Sequence, residues 1–445
     1  MKIFQQLKKS NKGLKQAFYL SLISGLLIAG ASVNAVENGN PLVDHIYTAD
    51  PSAHVFEDRV YIYGSHDQDN AKGYKMIDYH VLSSADLVNW EDHGVALTVD
   101  DVPWADNRMW APDAIFKDGT YYFYFPARQG KQFHIGVATS DSPAGPFIPE
   151  PDFIKGTDEI DPAVFVDDDG QAYIYWGGKS AKVAKLDKSL KKIEGDVVNV
   201  EGADYFYEAA WMHKLDDTYY LSYSSKFHPD TKDHIIVYGT SDKPMGPFKY
   251  QGKMIGDVSG ITNHHSTVKF KGQWYAFYHN SDLSGGHNAR RSIVADYLHF
   301  NDDGSIREVV QTKLGVGQYD GMLLIEAENY SETKNVQKRE SKDGSLHLAF
   351  DVNEKVVFNN VDFGEKTVNS IKLNVASLTE GGKVMVRTKS GTLLGEVNIP
   401  KTKSIDKWKT VSGKITELTG LNSISLTYVG SESSMLRLDS LVFSK

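Results

Sequence analysis

A short pattern recurs along the middle of this chain: a polar residue at the start of one strand, then a strand dense in aromatic side chains roughly ten residues later. It reads Asp50-Pro51-Ser52 before Val60-Tyr61-Ile62-Tyr63, and Pro112-Asp113-Ala114 before Tyr121-Tyr122-Phe123-Tyr124. It returns as Asp161-Pro162-Ala163 before Tyr173-Ile174-Tyr175-Trp176, as Glu208-Ala209-Ala210 before Tyr219-Tyr220-Leu221, and as His264-His265-Ser266 before Trp274-Tyr275-Ala276-Phe277-Tyr278. Asp50, Asp113, Asp161, Glu208 and His264 follow one another at 63, 48, 47 and 56 residues, the period of β-propeller blades. If each copy begins the innermost strand of a blade, the five polar side chains face one central axis. Three carboxylates at equivalent places on a closed ring would form an active site.

Other local signals agree with an all-β chain. Lys117-Asp118-Gly119, Asp168-Asp169-Gly170 and Lys271-Gly272 each precede an aromatic strand, where a hairpin turn belongs. The run Ala138 to Phe147 (ATSDSPAGPF) is repeated almost position for position by Gly239 to Phe248 (GTSDKPMGPF), and each is expected to end on a Phe packed between blades. Near residue 320 the pattern changes to strands of strict alternation, such as Ser370-Ile371-Lys372-Leu373-Asn374-Val375, the mark of a β-sandwich. The expected organisation is residues 1–35 as an export signal, 36–320 as a five-bladed propeller and 321–445 as a β-sandwich of jelly-roll type, the last two packed together without a long linker.

The signal reading rests on five lysines between Lys2 and Lys15, an apolar run from Phe18 to Ala31 and the small-residue site Val33-Asn34-Ala35. That run is shorter than the roughly 20 residues needed to span a bilayer. The expected location is therefore secreted or periplasmic, with no membrane association after cleavage. The chain has no cysteine, so its stability is expected to rest on core burial, with bound metal as the one further source. Its net charge of −10 argues against a nucleic-acid partner, which needs a basic face, and suits a neutral substrate. Its 24 tyrosines and 7 tryptophans suit strands and sugar rings equally.

Asp and Glu are disfavoured in strands, yet Asp50, Asp161 and Glu208 recur beside small residues that let the backbone crowd an axis. Two carboxylates flanking a glycosidic bond are the minimum equipment for hydrolysis: one ionised, one protonated. A third nearby keeps the acid protonated by like-charge repulsion. Taken one at a time, each acid could instead cap a loop; three in register favour chemistry.

The motifs His45 to Pro51, Trp110-Ala111-Pro112-Asp113, Glu159-Ile160-Asp161-Pro162, Tyr207-Glu208-Ala209 and Asn263-His264-His265-Ser266 resemble glycoside hydrolase family 43 over roughly residues 40–315. The resemblance implies a five-bladed propeller that inverts the anomeric centre, with Asp50 the general base, Glu208 the general acid and Asp161 the carboxylate that tunes and orients the acid. It also implies that Trp110 stacks on sugar, that His264 reaches the channel and contacts substrate or calcium (with His265 the alternative by one register step), and that Arg291 hydrogen-bonds substrate near the acid. His66 and Asp67 sit where a rim loop would begin. Asp113 matches no catalytic role, and is read as structural or as a hydroxyl ligand.

The C-terminal segment resembles a carbohydrate-binding module of family 6. That resemblance implies a structural calcium held by Glu326, Glu328 and Asp439. Its exposed stacking tryptophan falls at Ile405 here, a second aromatic at Phe358, and Trp408 at a more structural place. Together these imply an exo-acting glycosidase of plant or algal polysaccharide, of α-L-arabinofuranosidase or β-D-xylosidase type, with no organic cofactor. Galactofuranosidase, galactosidase or arabinanase activity is the alternative within the family. A propeller lectin is the alternative outside it, but a lectin needs equivalent sites in every blade, and here the key residue changes from Asp to Glu to His.

Overall fold

A computed structural model of the chain describes residues 39–226, 228–229, 234–378, 381–431 and 434–445. The export-signal reading of residues 1–35 lies outside the described residues. Within them the chain is almost wholly β, with a single 3₁₀ turn at Val99–Asp101.

Five antiparallel sheets form the blades, four with four strands and the fifth with three. Their first strands are Thr48–Phe56, Asp113–Lys117, Ala163–Val166, Phe206–Leu215 and His265–Phe270. These five touch one another in cyclic order and line the axis, as the recurring pattern predicts. Each aromatic strand lies second, and its period of two sends alternate side chains into the two neighbouring gaps. Tyr61 and Tyr63 join the core between blades one and two, while Val60 and Ile62 join that between blades five and one. Phe147 and Phe248 fill equivalent gaps, between blades one and two and between blades three and four. The same device anchors both loops: Tyr63 donates to the Pro143 carbonyl and Tyr175 to that of Pro244, each at 2.6 Å. Burying each such ring is worth about 1.5–3 kcal/mol, so the gaps between blades supply most of the driving force that closes the ring.

Closure is completed by the N-terminal end of the described chain. Gly39 and Asn40 donate backbone N–H groups to Leu314 and Lys313, and Leu42 to Ile293. The Asn40 amide side chain exchanges hydrogen bonds with both backbone groups of Ala295. The fifth blade thus receives its outer edge from the far end of the sequence.

The C-terminal domain is one twelve-stranded sheet curled on itself. Val356 and Phe358 from one face meet Ile371 and Leu373 from the other in a single core, and the two faces join edge to edge at Gly395 and Ile415. This is the β-sandwich expected from the alternating pattern. Tyr319–Asp320 already pairs with the strand Lys355–Asp362, so its first strand starts just before residue 321. The domain packs against the propeller through Tyr330, whose hydroxyl donates to the Gly272 carbonyl at 3.1 Å, and through Asn329, 2.9 Å from His299 Nε2.

Asp113 shows why the second copy of the pattern differs. Its buried carboxylate accepts hydrogen bonds from Ser52 Oγ at 2.6 Å and the Val164 amide at 2.6 Å, and lies 2.8 Å from His54 Nε2. It ties the inner strands of blades one, two and three together and stands outside the catalytic cavity. Replacing it with Ala leaves the buried Val164 N–H without its acceptor and reduces Ser52 Oγ and the half-buried His54 Nε2 to each other, 3.0 Å apart. We expect D113A to lose about 3 kcal/mol or more of stability, read as a lowered midpoint of thermal or denaturant unfolding. An unchanged midpoint would contradict this role.

Candidate active site

The backbone that presents the carboxylates is irregular in a way that aims them. Asp50 and Asp161 adopt left-handed conformations, with φ of 54° and 60°. In blade one the strand register slips between Ala49 and Ser52, and in blade four it slips on both sides of Glu208. Such irregularities turn a side chain out of the pleat. Ala209, next to Glu208, has φ of 63°, a conformation that costs a residue with a Cβ about 1–2 kcal/mol and that the surrounding ladder must hold.

The result is a cavity of about 400 Å³ lined by Asp50, Asp161, Glu208, Trp110, His264 and Arg291. All six residues singled out from the sequence for the propeller site meet there.

Asp50 is buried and strongly bound. Arg291 Nη1 and Nη2 donate to its two oxygens at 2.7 and 3.3 Å, and Ser65 Oγ donates to Oδ2. Burial alone would raise its pKa, but the Arg291 guanidinium and the Ser65 hydroxyl outweigh it and hold the carboxyl well below the usual range. Arg291 is fixed in turn by Asp67, which accepts from Nε at 2.8 Å and Nη2 at 2.9 Å. This corrects the expected place of Arg291, which grips the base rather than standing by the acid. Asp67 is a buried clamp on that arginine, and His66 turns away to Asp78 at 2.7 Å.

The other two acids face the opposite influence. Burial, then the charge of Asp50, pushes Glu208 up to about 7, against the weaker pull of Arg291 and Lys226. Burial, then Glu208 and Asp50, raises Asp161 as well, although its Oδ2 accepts the Ala209 N–H at 3.0 Å. Two buried carboxyls that repel each other titrate as a pair and retain a proton at neutral pH. Asp161 thereby titrates together with Glu208 and fixes the backbone just after it.

His264 Nδ1 lies 3.9 Å from Asp50 Oδ1 and 3.8 Å from Asp161 Oδ2, between base and tuning acid. Burial lowers its pKa to about 4, so it is neutral in the working range. His265 faces away and meets Ser222 Oγ at 2.6 Å, which settles the register in favour of His264. Trp110 is held by its Nε1 donating to the Tyr74 carbonyl at 3.2 Å and by Phe133, 4.6 Å between ring centroids.

Three lining residues escaped sequence reasoning. His279 Nδ1 accepts the Asp50 N–H at 3.2 Å, which puts its proton on Nε2, 3.1 Å from the Thr262 carbonyl. His234 Nδ1 stands 3.5 Å from Glu208 Oε1. Asn263 is buried in the cavity wall, and neither amide atom has a partner among the described residues. A histidine inside an aromatic strand was the one signal available, in Tyr278-His279-Asn280.

In the sandwich, the Ala327 N–H donates to the Asp439 carbonyl at 2.8 Å, bringing the two ends of the domain together. Burial, with Glu326 and Asp439 adding to it, pushes Glu328 up to about 7, and its Oε2 is buried without a partner among the described residues. That donor chemistry fits a hard cation, although the three carboxylates do not bring their oxygens within 4.8 Å of one another. Phe358 is wholly buried in the core and cannot stack on a ligand. Trp408 leans on His347, 5.5 Å between centroids. Ile405 lines a cleft of about 270 Å³ with Arg339, Asp351, Glu354 and Arg437.

Comparison with known proteins agrees with this geometry. The family model "Glycosyl hydrolases family 43" matches residues 39–306, and "Carbohydrate binding module (family 6)" matches residues 326–445. The chain is 43% identical over 324 residues to xylosidase/arabinosidase 43A of Humicola insolens, an alignment covering 60% of this chain and 98% of that one. It is 32% identical over 488 residues to an arabinoxylan arabinofuranohydrolase of Bacillus subtilis (strain 168), covering 92% and 94%. Among solved structures it resembles a β-xylosidase/α-arabinofuranosidase from a compost microbial metagenome, crystallised with xylotriose in a calcium-free form. That match has TM-score 0.57 and 45% identity, and covers 60% of this chain and 96% of the other. The buried carboxylate ring and these matches together place the chain in glycosyl hydrolase family 43, with a C-terminal carbohydrate-binding module of family 6.

Proposed function

We propose that the protein is an inverting, exo-acting glycosidase that releases arabinofuranose or xylose from plant polysaccharide of the arabinoxylan class. The carrying observation is the opposed surroundings of two carboxylates in one cavity: Asp50 gripped by the Arg291 guanidinium, which favours its anion, and Glu208 buried near the Asp50 charge, which favours its acid. The names of the relatives supply the sugar class.

The step follows from those states. A water between Asp50 and the anomeric carbon gives its proton to Asp50 as its oxygen forms the new C–O bond. Glu208 gives its proton to the glycosidic oxygen as the old C–O bond breaks, so the sugar leaves with inverted configuration. Asp161 orients Glu208 through the Ala209 amide. Trp110 offers a face to the sugar ring, and His264, neutral, offers a hydrogen bond to it. Calcium completes the reading: His264 would border it in the channel, and Glu326, Glu328 and Asp439 would hold it in the module, where it would offset their charge. Export by the N-terminal signal would deliver the enzyme outside the cytoplasm, to its polysaccharide.

We expect E208Q to lower kcat/KM on xylo- and arabinoxylo-oligosaccharides by about 10²–10⁴-fold. The loss should be smaller on nitrophenyl glycosides, whose leaving group needs little protonation, whereas D50N should abolish both. Undiminished hydrolysis by E208Q would refute the assignment. The active form has Glu208 protonated and Asp50 ionised, so kcat/KM should fall as pH rises through about 7. The acid side should stay flat well below the usual carboxylate range, read from a pH–rate profile. A calcium-selective chelator should lower the melting temperature; an unchanged value would count against calcium in the module.

A further inference from the structure

Blade one carries a second cluster of ionisable side chains, outside the cavity. Asp78 and His80 are two apart in the strand Asp78–Ser84 and so share a face, while Tyr79 between them enters the core. On the neighbouring strand Arg59–His66, Ser65 pairs with Tyr79 and Gly64 with His80, which sets His66 opposite Asp78. One donor atom from each of His66, Asp78 and His80 lies within 4.8 Å of the other two, the only such group among the described residues. The two imidazole centroids are 4.9 Å apart.

A second layer orients the first. His80 Nδ1 is 3.0 Å from Asp92 Oδ1, and Asp92 Oδ2 is 2.8 Å from His45 Nε2. With its Nδ1 proton given to Asp92, His80 keeps the Nε2 lone pair for coordination, the carboxylate–histidine arrangement that supports metal ligands. His66 Nδ1 is contested, 2.7 Å from Asp78 Oδ1 and 3.1 Å from Gln68 Nε2. A carboxylate and an amide donor cannot both be satisfied there by a neutral imidazole. The side chains of His66, Asp78 and His80 are 19, 16 and 12% exposed, sheltered but reachable from solvent.

We propose that His66, Asp78 and His80 bind one divalent transition-metal ion of the zinc class. Two imidazoles and one carboxylate suit zinc and its neighbours, whereas calcium prefers oxygen. The ion would pin the end of the strand that continues into Asp67, the clamp on Arg291.

The test uses the whole untagged protein, stripped of metal and titrated with zinc chloride by calorimetry, with metal counted by mass spectrometry after dialysis. Wild type should hold one zinc per chain, and cobalt(II) should give visible d–d absorption. H66A and H80A should lose both, and D92N should bind about 10–100-fold more weakly. Bound zinc should also shield His66 and His80 of the wild type from diethyl pyrocarbonate, a reading that needs no variant. No stoichiometric zinc in wild type, equal binding by a folded H66A/H80A double variant, or no shielding would each overturn the proposal.

Discussion

One guanidinium sets the division of labour in this site. Arg291 is buried with a carboxylate on each side, Asp50 and Asp67, and its fork satisfies both. A buried ion triad of this kind contributes little to stability. What it fixes is charge state: Asp50 stays an anion in a place where burial would otherwise favour the neutral acid. That fixed anion, with burial, is one of the forces that keeps Glu208 protonated. Base and acid are made by one arrangement acting with opposite sign on two carboxyls.

The propeller makes this possible because it brings distant segments to one axis. Asp50 and Arg291 are 241 residues apart in sequence, yet 2.7 Å apart in space. Packing between blades is done by repeated parts, the alternating aromatic strands and the two Gly-Pro-Phe loops. Chemistry is done by the parts that break the repeat: the left-handed Asp50 and Asp161, and the register slips around Glu208. Asp113 keeps regular pairing, opposite Tyr124, and its carboxylate clasps strands.

The same distinction decides what could be read from the sequence. Blade number, the inner strands, the three carboxylates and the sandwich were legible because each rests on local period and spacing. The partner of Arg291, and hence its place beside the base, was not, because a contact across the ring leaves no trace in local pattern. His279 and His234 lie within or beside apolar strands, where a histidine reads as core. For Asp113 the residues alone leave two readings, structural or hydroxyl ligand, and only its regular backbone pairing and its cross-strand hydrogen bonds decide for the first. In the sandwich, Phe358 matched a stacking position by alignment, but its place in the strand turns it into the core.

The account rests on the unequal protonation of Asp50 and Glu208, and carboxyl-carbon NMR of the free enzyme measures it directly. With E208Q and D50N used to assign the resonances, Glu208 should titrate near 7, while Asp50 should stay ionised down to the pH at which the fold itself fails. A Glu208 that titrates near its ordinary value of 4.5, or an Asp50 that takes up a proton in the same range, would contradict it.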